Sequence, residues 1–285
     1  MILIADCGSS KTDWRGIMPD GTIIGQYKTI GFNPYYQDTT SIYQELQKNL
    51  CTQLEHPVNE IYFYGTGITN TEKKTILINA LQQAFPSAST IEVHSDMLGA
   101  ARALCGQSAG IACILGTGAN TCFYDGEQIA YQVPSLGFWL GDEGSGAHLG
   151  KVLIQAYLHQ ELPEELQTKF EKRFGKKDRL EILEHAYQKP FPNRYFASFS
   201  KFLFDNRNHP FCYQLISGAF RLFFDKYVLK YPNCSENKIH FIGSVAFYYS
   251  DILRRVAQEK QVSLGIIMET PIAGLALYHI SRLTS

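Results

Sequence analysis

The sequence predicts an α/β protein in two lobes, each laid out β-β-β-α-β-α, with a helical insertion in the second lobe. Three observations lead there. Short β-branched runs alternate with stretches of helical period, the opening layout returns near residue 110, and a long series of helical segments then interrupts it.

The elements follow in order. "ILIAD" (2–6) is a buried strand, "WRGIM" continues after a turn of small residues, and Asp20-Gly21 marks a hairpin before "TIIGQYKT". "TTSIYQELQKNLCTQL" (39–54) places Ile42, Leu46, Leu50 and Leu54 on one helical stripe. "NEIYFYGTG" is a strand ending in glycines, "TEKKTILINALQQAF" a helix, "STIEVHSD" a strand and "MLGAARALCG" a helix. "GIACILGTGANTCFYDGEQIAYQVP" (110–134) then repeats the strand, glycine–hydroxyl turn, strand and Asp-Gly hairpin of the opening. Residues 145–230 read as mostly helical, followed by strand "KIHFIGS", helix "VAFYYSDILRRVAQEK", strand "LGIIM" and helix "PIAGLALYHISRL". The expected division is an N-terminal lobe over 1–107 and a C-terminal lobe over 108–285, with the insertion at about 145–230.

Composition narrows the function. With 26 basic and 27 acidic residues, no nucleic-acid footprint or membrane attraction is expected, and an anionic ligand would need a local site. The seven cysteines are scattered, odd in number and without a C-x-x-C pair, as in a cytoplasmic protein with reduced thiols. No apolar run approaches the length of a membrane span or has the form of a signal peptide.

The turn after the first strand, "DCGSSKTDW", ends like a phosphate-binding P-loop. It lacks the first glycine of G-x-x-x-x-G-K-[ST], however, and leads into a hairpin rather than a helix. What remains is a turn of small residues whose backbone N–H groups can approach an oxyanion. Gly116-Thr117-Gly118-Ala119-Asn120 makes the same offer at the matching place in the second half, and the pairing favours a two-jawed phosphate clamp over two ordinary hairpin turns. Asp6 closes its strand beside the first turn and suits water-mediated Mg²⁺ holding, against a turn-initiating role. Asp96 stands where a strand passes into a helix, either as an N-cap or as a proton acceptor for a substrate hydroxyl. In "GFWLGDEGSGAHLG" (137–150), Asp142 and Glu143 lie in a glycine-dense loop suited to accepting sugar hydroxyls, against a plain helix start. Asn33 in "GFNP" is by default a turn residue. Gly106–Gly110 fits G-x-S-x-G, but a helix precedes it and a strand follows, the reverse of a nucleophile elbow. No close metal-ligand cluster occurs, and His94 and His148 read as structural.

"DCGSSKTD", "SDMLGAARAL", "LGTGANT", "GDEGSG" and "FIGSVA" resemble, in order, the phosphate-1, connecting, phosphate-2, sugar-loop and adenosine motifs of the actin/hexokinase/Hsp70 ATPase superfamily. Within it the chain resembles the N-acetylglucosamine kinase group of the BadF/BadG/BcrA/BcrD-type ATPases, over nearly its whole length. The resemblance implies a duplicated ribonuclease H-like fold around a cleft, and ATP-dependent phosphorylation of N-acetylglucosamine or a related sugar. It implies that Asp6 holds Mg²⁺ through water and that Gly8, Ser9, Ser10, Lys11 and Thr12, with Gly116, Thr117, Gly118, Ala119 and Asn120, bind the ATP phosphates. Asp96 becomes the general base. Asn33, Asp142 and the backbone around Ser135–Gly137 become sugar contacts beside Glu143, and Gly243, Ser244, Val245 and Ala246 approach the adenosine. "TPIAGLALYHI" resembles the second connecting helix, with Ala273 and Gly274 permitting close packing.

Two departures qualify the resemblance. Pro134-Ser135-Leu136 stands where these kinases carry more glycine and sometimes tryptophan, which leaves the sugar open. The C-A-A-G-type cluster motif of the family's dehydratase-activating ATPases is absent, which disfavours a partner-activating switch. A non-catalytic nucleotide- or sugar-binding regulator is the other rival. The apolar segment "FRLFFDKYVLKY" offers a homodimer face, against an ordinary core helix.

Overall fold

A computed structural model describes residues 1–8, 11–68, 70–232 and 234–283. The chain forms two compact units. Unit 1 comprises Met1–Ser108, Asp125–Ile129 and Thr270–Ser285, and unit 2 comprises Ala109–Tyr124 and Ala130–Glu269. The first segment of unit 1 ends beside the expected 107/108 boundary, while the last helix groups with unit 1.

Unit 1 is built on β1 (Ile2–Cys7), β2 (Lys11–Ile17), β3 (Ile23–Ile30), α1 (Thr39–Asn49), β4 (Glu60–Gly65), α2 (Thr71–Ala84), β5 (Thr90–Ser95) and α3 (Asp96–Cys105). The sheet order is β3-β2-β1-β4-β5, with β1 antiparallel to β2 and parallel to β4. Strand β1 is apolar on both faces because both are covered. Leu3, Ala5 and Cys7 pack with Trp14, Ile42, Leu46, Leu77 and Leu81 from the β2, α1 and α2 side. Asp20-Gly21 turns the β2–β3 hairpin, with Gly21 at φ 85°. Asp38, Asn70 and Ser95 cap α1, α2 and α3 through their side chains. Gly106, at φ 61°, ends α3, so the G-x-S-x-G segment is a helix exit, as the element order implies.

Unit 2 begins with β6 (Gly110–Leu115), β7 (Ala119–Tyr124) and β8 (Ile129–Tyr131). The helices α4 (Gly137–Leu140), α5 (Gly146–Leu158), α6 (Glu164–Phe174), α7 (Arg179–Tyr187), α8 (Pro192–Asp205) and α9 (Pro210–Lys226) follow. Then come β9 (Ile239–Ile242), α10 (Ser244–Tyr248), α11 (Ser250–Glu259) and β10 (Leu264–Met268), before the chain returns to unit 1 as α12 (Ile272–Leu283). The order β8-β7-β6-β9-β10 repeats that of the first sheet, with β6 antiparallel to β7 and parallel to β9. The duplication expected from layout is therefore one of topology, the arrangement that the actin-like ATPase resemblance implies.

Three elements differ from expectation. The helix read over 39–54 ends at Asn49, and a separate 3-10 turn follows at Cys51–Gln53. The short helix α4 falls inside the glycine-dense loop, and the helix read across "VAFYYSDILRRVAQEK" divides at Tyr249. Tyr249 is buried and its hydroxyl donates to the Ser200 carbonyl (2.6 Å), which turns the chain between α10 and α11. In "FRLFFDKYVLKY", Phe220, Phe223, Phe224, Tyr227, Val228 and Tyr231 lie in the unit 2 core, while Leu222 and Leu229 are exposed. Among the described residues no helix is long and apolar enough to cross a membrane.

Candidate functional site

In unit 1 the sequence-predicted residues gather at the C-terminal end of β1. The β1–β2 register sets Asp6 opposite Asp13, placing both carboxylates on one face of the sheet. Lys11 meets Asp13 at 2.8 Å, and the Gly8 N–H donates to the Lys11 carbonyl (2.9 Å), closing the turn. Ser9 and Ser10 lie outside the described residues. Thr12 is fully buried. Its hydroxyl donates to the Ile30 carbonyl (2.9 Å) and lies 3.1 Å from the Cys7 sulfur, so this side chain ties the hairpin to β3 and is not directed to a phosphate. Burial, then the neighbouring Asp13 and Asp96 charges, push the Asp6 carboxyl up to about 7, with Lys11 opposing.

Asp96 opens α3, but the cap is supplied by Ser95, whose hydroxyl accepts from the Leu98 N–H (3.3 Å). The N-cap position thus belongs to Ser95, with Asp96 in the first turn of α3. Burial raises its proton affinity against hydrogen bonds from the Met97 and Asp96 N–H groups and the Thr66 hydroxyl. Asn33 follows its default: its side-chain oxygen accepts from the Tyr35 N–H (3.0 Å) and lies against Gly67.

A divalent cation fits this group, since Asp6 is raised by the neighbouring Asp13 and Asp96 charges and a positive charge beside it would offset them. Among the described residues no three His, Cys, Asp or Glu side chains could hold a metal ion by themselves. Asp6 would therefore act on a cation whose other ligands come from water and phosphate.

In unit 2 the Gly116–Asn120 turn rests on the start of α5. The Gly146 and Ala147 N–H groups donate to the Gly116 and Thr117 carbonyls (2.8 and 3.0 Å). Asp142, at φ 59°, accepts the Ala119 N–H (3.0 Å), and its carboxylate would be 2.9 Å from a Cβ on Gly118. Its carboxyl is raised by burial, against Ala119 and Lys151. Asp142 thus fixes the Gly116–Asn120 turn, a role not anticipated from the sequence. The Asn120 side-chain oxygen accepts from Gln132 (2.8 Å) and the Thr121 N–H (2.9 Å). The Ser135 hydroxyl donates to the Ala119 carbonyl (3.0 Å). Both oxygens of Glu143 are engaged, one by Lys226 (2.5 Å) and one by the Tyr227 hydroxyl (2.8 Å). Burial pushes this acid up, but those bonds outweigh it and hold it below the usual range. Glu143 is thereby an anchor between the loop and α9 rather than an open acceptor for sugar. Gly137 has open space around its Cα and φ 69°.

The glycines of this loop are explained largely by packing. A Cβ on Gly144 would lie 2.9 Å from Phe223, and one on Gly150 would run into the backbone of Phe196 where α5 meets α8. Gly243, at φ 117°, leaves no room for a side chain, since a Cβ there would run into the Leu115 carbonyl. Beyond it, Ser244 and Val245 line a cavity of about 410 Å³ with Phe204, Tyr248 and Tyr249. Phe204 and Tyr248 meet edge-on at 5.9 Å, and such aromatic walls suit a flat heterocycle. Ala246 is fully buried and packs in the core instead.

Neither a protein-family profile nor a curated protein matches the chain. Among solved structures, a Porphyromonas gingivalis protein provisionally named an N-acetylglucosamine kinase is 42% identical, with 99% of each chain covered and a TM-score of 0.92. The chain belongs to the N-acetylglucosamine kinase-like family. A Chromobacterium violaceum protein with the same provisional name superposes with a TM-score of 0.77 at 18% identity, covering 97% of this chain and 98% of its own. A ROK-family glucokinase from Streptomyces griseus, solved with glucose and AMPPNP, shares the fold with a TM-score of 0.57 at 13% identity, covering 99% and 98%.

For this kinase-like chain, the structure brings Asp6, Lys11 and Asp96 into one group in unit 1. It joins the Gly116–Asn120 turn to Asp142 and Ser135 in unit 2. Asp13, Thr66, Phe204 and Tyr248 were not picked out in the sequence. Asp13 was the most findable, because strand alternation across a short turn sets it opposite Asp6.

Proposed function

We propose that this chain transfers the γ-phosphoryl group of ATP to a hydroxyl of an amino sugar, with N-acetylglucosamine and related N-acetylated sugars as the substrate class, as a BadF/BadG/BcrA/BcrD-type ATPase. The observation that carries this reading is the full-length 42% identity to a protein named for that activity. The surroundings of Asp96 support its part in the chemistry. Its raised proton affinity suits a base that takes the sugar hydroxyl proton as the new O–P bond forms and the bond to ADP breaks, so the proton ends on the Asp96 carboxyl. In unit 1, Asp6 would hold Mg²⁺ through water, and that ion would supply charge neutralisation at the phosphates. Backbone N–H groups of the two glycine–hydroxyl turns would orient those phosphates. In unit 2, the cavity beside Gly243, Ser244 and Val245 would take the adenosine, and Asp142 would serve sugar binding through the loop it organises.

A coupled ADP-release assay across N-acetylglucosamine, N-acetylmuramic acid and glucosamine, with a no-sugar control, tests the reading. The expected result is ADP release that depends on an N-acetylated sugar. Asp96→Asn should lower turnover by about 10²–10⁴-fold while retaining nucleotide binding. ADP release without sugar would instead indicate a conformational switch, and nucleotide binding without release a regulator. Normal turnover in Asp96→Asn would overturn the base assignment.

A further inference from the structure

A second charged cavity lies within unit 1, on the α3/α12 side of its sheet, and none of the phosphate, sugar or adenosine motifs contributes to it. Its volume is about 380 Å³, within the range of small-ligand pockets. Arg102 of α3 and Arg282 of α12 form one part of its wall with Tyr278 and His279, and Glu60 and Glu92 of the sheet form another. Tyr278 and Arg282 also line an adjoining cavity of about 510 Å³, so this side of the unit has room for a polar molecule.

The arrangement of charge is specific. Arg282 donates to the Tyr278 hydroxyl (2.9 Å) and Arg102 to the Tyr64 hydroxyl (2.9 Å), so each guanidinium is oriented by a neutral phenol. Both lie close enough to His279 to depress its proton affinity, and burial is the largest cause of its fall to about 3. His279 is thus a neutral imidazole beside two fixed cations, with its Nε2 2.9 Å from the Tyr64 hydroxyl. Glu60 accepts from the Tyr62 hydroxyl (2.8 Å), and Glu92 meets the His94 Nε2 at the same distance. Each carboxylate retains acceptor capacity for hydroxyl donors.

We propose that this cavity is a binding site for a small phosphate monoester bearing several hydroxyls, a sugar phosphate by class, with its phosphate on Arg102 and Arg282 and its hydroxyls on Glu60 and Glu92. Planar guanidiniums match phosphate oxygens in pairs, and carboxylates accept vicinal hydroxyls. The inference stands on unit 1 alone and goes beyond the kinase reading. The site is nonetheless near the proposed base. Arg102 lies six residues along α3 from Asp96, about 9 Å of helix. Tyr64, which Arg102 holds, is two residues from Thr66, whose hydroxyl bonds Asp96.

Equilibrium binding measured by calorimetry, without ATP, tests the site. The probes are glucosamine 6-phosphate, inorganic phosphate and uncharged N-acetylglucosamine, with the intact chain and with Arg282→Gln. Arg282 is exposed at the end of α12, and Arg282→Lys serves as a second variant that retains the charge but not the paired geometry. The expected result is that the sugar phosphate binds more tightly than inorganic phosphate, and that Arg282→Gln weakens it at least ~10-fold with an unchanged melting temperature. Arg282→Lys should fall between the two. Equal affinity in the intact chain and Arg282→Gln would overturn the site, because binding confined to the phosphate turns would not respond to Arg282. Inorganic phosphate binding as tightly as the ester would overturn the assigned ligand class. Turnover is not read, so failure of the kinase reading leaves this test intact.

Discussion

Asp6→Asn should make the protein more stable at neutral pH while impairing phosphoryl transfer. In the folded chain, burial and the Asp13 and Asp96 charges raise the Asp6 carboxyl from 3.8 to about 7, so the folded state holds this proton more tightly than the unfolded state. Below about 3.8 the group is protonated in both states and costs nothing. As pH rises towards about 7 the folded state is progressively penalised, and above that the penalty is constant. At about 1.4 kcal/mol per tenfold change in proton affinity, the full penalty is at most about 4 kcal/mol. The asparagine has no charge to desolvate and escapes it. Urea unfolding of both proteins at pH 4, 6 and 8 provides the assay, with the gap between them expected to open with pH in favour of Asp6→Asn. Mg²⁺ with ATP should narrow it by stabilising the native protein more than the variant. Stability curves that run parallel across this pH range would refute the electrostatic account of Asp6.

Gly243→Ala drives a Cβ into the Leu115 carbonyl at a φ of 117°, and should lower stability by about 2–4 kcal/mol in denaturant unfolding. Asp142→Ala leaves the buried Ala119 N–H without its acceptor and puts alanine at φ 59°, so the nucleotide KM should rise at least ~10-fold. Asp142→Asn, which tolerates that backbone and can still accept, should change it far less. Gly99→Ala brings a Cβ to 2.8 Å from the Tyr64 Cβ, pushing α3 and Asp96 off the sheet; kcat should fall by about 10²-fold with sugar KM little changed in steady-state assays.

Much of the fold was legible because its signals are local. The strands of β1 and β6, the helical stripe of α1 and the Asp20-Gly21 hairpin depend on residues close in sequence, and the repeated order revealed the duplication. The glycine-dense loop was harder. Its glycines suggested close approach of a ligand, whereas Gly144 and Gly150 are required by Phe223 and Phe196, residues far along the chain.

The sequence by itself determined which residue types stand where chemistry is expected: an acid closing β1, an acid opening α3, and a glycine–hydroxyl turn in each half. Only the tertiary structure decided what each is free to do. Strand register set Asp13 against Asp6, the Thr66 hydroxyl came to bond Asp96, and Lys226 and Tyr227, more than eighty residues away, took up Glu143. It also gathered Arg102 of α3 and Arg282 of α12, helices far apart in the sequence, into one cavity. The physical reason is that periodicity and turn chemistry act over a few residues, while the proton affinity and hydrogen bonding of a carboxylate depend on whatever the fold brings within a few ångströms.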